Sequence, residues 1–139
     1  MSKLAFVCVG NAGRSQLATA LAERERDQRD LGDSIEIVTG GIDPHDHVHN
    51  DVIEVLREDD IDIRDRTPRR ITADDVADAD YIITMGCAVD DFAPHDWDGT
   101  AETWELEHPG GDDKDAVRAQ RDEIRSRITD LFDQLDTAV

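Results

Sequence analysis

Short apolar runs alternate with longer segments of helical spacing along this chain. Lys3-Leu4-Ala5-Phe6-Val7 is an apolar run of strand length, and Ser15-Gln16-Leu17-Ala18-Thr19-Ala20-Leu21-Ala22-Glu23 carries helical spacing. Ile35 to Val38 is a second run, closed by Thr39-Gly40-Gly41, and Asn50-Asp51-Val52-Ile53-Glu54-Val55-Leu56 opens a second helix. Tyr81-Ile82-Ile83-Thr84-Met85-Gly86 reads as a third strand, and Thr72-Ala73-Asp74-Asp75 as an N-cap with acids in the first turn. The pattern predicts strands near 3–8, 35–39, 80–85 and 103–106, and helices near 13–30, 49–59, 72–78 and 113–136. The fourth strand is short, because Gly99 and its polar neighbours leave it few residues. Alternating strand and helix implies an α/β fold, one domain over residues 1–139, with a four-stranded parallel sheet and helices on both faces. In such a sheet ligands sit beyond the carboxyl ends of the strands, which gathers Cys8, the Thr39 turn and the loop at His108.

Charge changes the setting of this fold. Among 139 residues, 34 Asp and Glu outnumber 15 Lys and Arg, a net charge of −19, and lysine occurs only at positions 3 and 114. Such an excess repels itself at low salt but is tolerable where the Debye length falls to ~3 Å, near 1 M salt. The composition therefore fits a salt-rich cytosol. Acidic residues interleave with apolar ones at helical spacing, which argues for a folded chain rather than a disordered one. The negative charge disfavours nucleic acid as a partner, and no segment reaches membrane-spanning length. The first apolar run is too short for a secretory leader, and two cysteines fit a reducing compartment, so the expected location is cytoplasmic.

The candidate chemistry sits between the first strand and the first helix, in Cys8-Val9-Gly10-Asn11-Ala12-Gly13-Arg14-Ser15. A loop entering a helix N-terminus turns backbone N–H groups inward, so Val9, Gly10, Asn11, Ala12, Gly13 and Arg14 form a candidate oxyanion cradle. Cys8 is the candidate nucleophile. Free cysteine titrates near ~8.5, and making a thiolate the resting form calls for ~4 kcal/mol, of which a helix terminus supplies at most ~2 kcal/mol. The loop amides, the Ser15 hydroxyl and the Arg14 charge are the donors at hand. Arg14 also matches two oxygens of a phosphate-like ligand with its planar fork. Gly10 and Gly13 permit a tight curl, and Asn11 tolerates positive φ. The plainer reading, Cys8 as a small buried hydrophobe, leaves the two glycines and the Arg-Ser pair without a role.

Cys-x5-Arg-Ser near the start of a chain of this length resembles the low-molecular-weight protein tyrosine phosphatases and the arsenate reductases that share their fold. The resemblance extends through Thr39-Gly40-Gly41, Asp60-Ile61-Asp62-Ile63, the Arg66-Thr67-Pro68 turn and Trp104-Glu105-Leu106-Glu107-His108-Pro109. It implies a low-molecular-weight-phosphatase-like, flavodoxin-like fold and an enzyme of oxyanion chemistry. Gln16, where the phosphatases usually carry proline, and the Trp-Glu-Leu-x-x-Pro-Gly pattern are similar to thiol-coupled arsenate reductases. Gly110-Gly111-Asp112-Asp113 lacks the aromatic residues that flank a phenyl ring in phosphotyrosine phosphatases, although Trp97 and Trp104 are candidates for that wall. The resemblance thus implies arsenate reduction through a Cys8 thioarsenate. A phosphotyrosine phosphatase acting through a Cys8 phosphoenzyme is the alternative, and an oxyanion-binding module with little turnover is the third reading.

Where the family carries its general acid, an Asp before Pro, this chain has His108, with Glu107 preceding it. His108 is the expected proton donor and Glu107 the runner-up, since neighbouring acids favour a charged imidazole. Reduction also needs two electrons. Thioredoxin-coupled members use three cysteines, but Val89-Asp90-Asp91-Phe92 offers no partner to Cys87. The reductant is therefore expected to be an external low-molecular-weight thiol or redox protein, with Cys87 the possible resolving thiol and otherwise a packed residue. No cofactor beyond that thiol and no metal are expected. His45, His47 and His49 alternate, which would suit a metal if extended, but they read as a solvated loop.

Overall fold

In a computed structural model, which describes residues 2–106 and 114–137, four parallel strands form one sheet. The elements are β1 (Ser2–Cys8), α1 (Arg14–Gln28), β2 (Ile35–Gly41), α2 (Asn50–Glu58), α3 (Ala73–Val76), β3 (Tyr81–Met85), a 3₁₀ turn (Val89–Asp91), β4 (Thr100–Thr103) and α4 (Lys114–Thr137). The strand order β2-β1-β3-β4 makes β1 a central strand, and Leu4, Ala5, Phe6 and Val7 are all fully buried. Its continuous apolar run follows from this, because both of its faces are covered. Leu4, Phe6 and Cys8 face a core built with α1, α2 and α4, whereas Ala5 and Val7 join Ile71, Val76, Ala79 and Ile82 on the other side. Helices thus cover both faces unequally: the second is closed by the single turn of α3 and by irregular chain, including Phe92 and Trp97.

Strands β2 and β3 flank β1, and Cys8 pairs with Gly41 on one side and Met85 on the other. All three strands therefore end level at Cys8. The chain moves outward from β1 in opposite directions to reach β2 and β3, so Cys8 occupies the crevice where ligands bind in open parallel sheets.

The fourth strand corrects the sequence reading. It runs over Thr100–Thr103 rather than 103–106, with Tyr81 paired to Thr100 and Thr84 to Thr103. Pairing at this edge is fixed by backbone register and β-branched threonines, while the apolar signal of Trp104 and Leu106 belongs to chain leaving the sheet. The Trp104 amide makes one last bond to the Thr84 carbonyl (2.9 Å), and its ring then packs on Phe6 at 6.0 Å. The third helix is also shorter than predicted. Thr72 caps it, with Asp75 N donating to Thr72 Oγ1 (3.2 Å) and Thr72 N to Asp75 Oδ2 (3.0 Å).

Candidate oxyanion site

The loop after β1 is held from outside by the β2–α2 connection. Amides of Ile42, Asp43, His45 and His49 donate to the carbonyls of Cys8, Val9, Gly10 and Ala12 at 3.3, 2.9, 2.9 and 2.9 Å. A trans peptide sets each carbonyl opposite the next residue's N–H, so the amides of Val9, Gly10, Asn11 and Gly13 turn to the inner side. One of them demonstrates the orientation: Asn11 N donates to Cys8 Sγ at 3.1 Å. The expected cradle is therefore a consequence of how the outer connection uses the carbonyls.

Cys8 is 3 % exposed, and its sulfur lies 2.9 Å from Ser15 Oγ. Asn11 Nδ2 already donates to that hydroxyl oxygen at 2.7 Å, leaving the Ser15 hydrogen free for the sulfur. Cys8 thus receives an amide and a hydroxyl donor, both suited to a thiolate. Asn11 is fully buried and holds this arrangement together. Its Nδ2 also reaches Thr39 Oγ1 (3.0 Å), while its Oδ1 accepts from Arg69 N (3.0 Å) and Gln16 Nε2 (3.1 Å). At φ 51° Asn11 is the left-handed residue of the loop. Gly10 serves instead for close approach, since a Cβ there would come within 2.7 Å of the His45 ring, and Gly13 stands at φ −131° as the N-cap of α1.

Arg14 opens α1, and its Nη1 donates to the Leu106 carbonyl at 3.1 Å. Gly86, at φ 86°, clears its path: a Cβ there would sit 2.7 Å from Nη2. The guanidinium separates two concavities. One of about 250 Å³ is lined by Cys8, Val9, Gly10, Ala12, Gly13, Arg14, His45 and His49. The other, about 500 Å³, runs past Arg14 to Gly86, Cys87 and Trp104.

Cys87 follows Gly86, is half-buried and lines the larger concavity with Arg14, its Sγ 3.7 Å from the Val7 carbonyl. Burial chiefly, then the charges of Cys8 and Asp91, push its thiol up to about 11, against the opposing pull of Arg14. Cys87 is thus a protonated thiol close enough to feel the charge of Cys8.

The structure brings Cys8, Val9, Gly10, Asn11, Ala12, Gly13, Arg14 and Ser15 together with the Thr39 turn, which the sequence reading gathers there, and adds Gln16, Gly86, His45 and His49. Glu107 and His108 lie outside the described residues. Trp104 lines the cavity beside Arg14, but Trp97 does not: it packs in the second core with its Nε1 donating to Ala79 O at 2.8 Å. The alternating histidines are not an extended ligand set. His45 and His49 turn to the loop with rings 5.5 Å apart, and among the described residues no group of three His, Cys, Asp or Glu is disposed to hold a metal. The loop contacts of His45 and His49 had no local sequence signal, because they arise from the path of the β2–α2 connection.

Comparison with known proteins agrees with this geometry. A candidate arsenate reductase of Halobacterium salinarum is 47 % identical over 97 % of this chain and 94 % of its own length. The solved thioredoxin-dependent arsenate reductase of Corynebacterium glutamicum superposes with a TM-score of 0.81 at 33 % identity over the whole chain, which spans 64 % of that protein. An arsenate reductase in its phosphate-binding state gives a TM-score of 0.77 at 29 % identity, covering 96 % of this chain and 98 % of that one. The family described as low molecular weight phosphotyrosine protein phosphatase matches residues 3–139, and the chain belongs to this family.

Proposed function

We propose that the protein is an arsenate reductase that works through Cys8 and an external thiol. The observation that carries this reading is the Cys8 sulfur receiving the Ser15 hydroxyl and the Asn11 amide beside Arg14, in a chain whose relatives carry the arsenate reductase name. The Cys8 thiolate attacks arsenic, and one arsenate oxygen departs as water after taking a proton. His108 is the proposed donor of that proton, with Glu107 as runner-up. The loop amides and Arg14 stabilise charge on the remaining oxygens.

A thiol then attacks the Cys8 sulfur of the adduct. The sulfur–arsenic pair stays with arsenic, which leaves as arsenite, and Cys8 is left in a disulfide with the attacking sulfur. A second thiol releases Cys8, so two thiols supply the two electrons. A cytosolic small thiol or redox protein is the proposed reductant. Cys87 is the internal alternative, a half-buried thiol two residues beyond Met85, which pairs with Cys8 across the sheet.

The deciding experiment is arsenite production from arsenate in molar KCl with a small thiol, for wild type and Cys8→Ala. Arsenite that requires Cys8 supports the reading. Cys8-dependent hydrolysis of an aryl phosphate without arsenite makes the protein a phosphatase, with Trp104 as the aromatic wall. Phosphate binding with neither product makes it a binding module. His108→Ala is expected to lower turnover by ~10²-fold or more at neutral pH while leaving phosphate affinity within a few-fold. Loss confined to Glu107→Ala would reassign the donor.

A further inference from the structure

Two side chains of the oxyanion pocket have no part in the chemistry above. His45 and His49 line the same concavity as Cys8, Gly10 and Arg14, and both are pinned through the backbone, His45 N to Gly10 O and His49 N to Ala12 O, each 2.9 Å. The His45 side chain is exposed and its ring lies over the loop, with Cδ2 and Nε2 each 2.7 Å from where a Cβ at Gly10 would stand. His49 meets it edge-on with ring centres 5.5 Å apart.

We propose that His45, braced by His49, is an oxyanion-binding residue of this pocket, its imidazolium facing the outer oxygens of a tetrahedral dianion seated over the loop. The inference deepens the reading of the loop as an oxyanion site and rests on it for where the ligand sits. A chain of charge −19 repels an incoming dianion, and Arg14 supplies one cation on the inner side of the pocket. An imidazolium on the outer wall supplies a second, and only in its protonated form. Among the described residues, the other titratable groups lining the concavities with the pair are Cys8 and Arg14 from the loop and start of α1, and Asp43, Asp46 and His47 from their own connection.

The test is sulfate titration by calorimetry, because sulfate keeps one charge across the range in which imidazole ionises. A Cys8→Ser background removes the thiolate's own titration. In that background sulfate is expected to bind about threefold more tightly near pH 5.5 than near pH 8 in moderate salt. His45→Gln is expected to abolish the difference, and His47→Gln, on the same connection but outside the pocket, to preserve it. Circular dichroism checks that each variant is folded. A pH dependence that survives His45→Gln, one that vanishes with His47→Gln, or no sulfate binding at either pH overturns the proposal. These outcomes do not depend on arsenite production, so the wall and the reductase reading fail separately.

Discussion

The two ends of the Asn11 side chain serve opposite needs: the amide nitrogen aims the Ser15 and Thr39 hydroxyls, and the oxygen takes the Arg69 and Gln16 donors. Asn11→Ala takes one bond from each of Ser15, Thr39 and Gln16, which keep their bonds to Cys8, Phe6 O and Asn11 O, strips Arg69 N of its side-chain partner at about 1–3 kcal/mol, and places alanine at positive φ. A loss of at least about 2 kcal/mol is expected in chemical denaturation. Ser15→Ala removes a single donor from the sulfur, and alkylation of Cys8 at fixed pH should slow roughly tenfold, the worth of one hydrogen bond to a charged group. Cys87 should behave oppositely in the native protein. With its thiol raised to about 11 from an ordinary 9.0, it stays protonated at pH 8 and alkylates far more slowly than Cys8. Peptide mapping after brief alkylation distinguishes the two. The raised thiol has a consequence for stability as well. Well below pH 9 both states hold the proton and nothing is contributed. Between 9 and 11 the unfolded chain ionises first, so stability falls as pH rises.

At the scale of elements, the end of β3 and the start of α1 are coupled through Gly86. Gly86→Ala combines a φ of 86° with a Cβ 2.7 Å from Arg14 Nη2, and Arg14 must move. Turnover is expected to fall by at least about tenfold with Cys8 alkylation little changed, because the added Cβ meets Arg14 while the Cys8 donors are Asn11 N and Ser15 Oγ. Comparable loss of both would mean that the whole loop has shifted. The inner elements were legible in the sequence because burial on both faces writes a continuous apolar run, as in β1 and β3. The edge strand was not: Thr100–Thr103 is mostly exposed, so it carries register without hydrophobicity, and Trp104 drew the prediction toward itself. The site divides likewise. Cys8, Arg14 and Ser15 announce themselves by local spacing, whereas Thr39, His45 and His49 meet the loop only through the parallel pairing of β1 with β2 and the fold of the following connection.

For the molecule as a whole, acidity and ion pairing pull in opposite directions. Arg118 and Arg121 of α4 grip Glu58 at the end of α2 at 2.7 and 3.3 Å, and Arg125 pairs with Asp59 just beyond it. The Arg118 bond holds the Glu58 carboxyl below its ordinary range, as Arg64 does for Asp62 and Lys3 for Asp78. At Asp75 burial pushes upward, but bonds from Thr72 and Arg69 outweigh it. A carboxylate depressed in the folded state contributes stability that is present above its unfolded pKa and lost as pH falls through the folded value. These pairs therefore predict a loss of stability that begins near pH ~4 and deepens below it. Uptake of protons by a chain of net charge −19 relieves repulsion and predicts a gain over the preceding units. Salt separates the two effects, because repulsion spread over the surface is screened more completely than paired groups in contact. At low KCl, the melting temperature should rise from pH 7 toward about pH 5 and then fall. In molar KCl it should start higher at pH 7, lose the intermediate rise and keep the acid limb. Thermal melts across this grid decide the matter, and a rise of equal size at both salt concentrations would mean that long-range repulsion does not limit this fold.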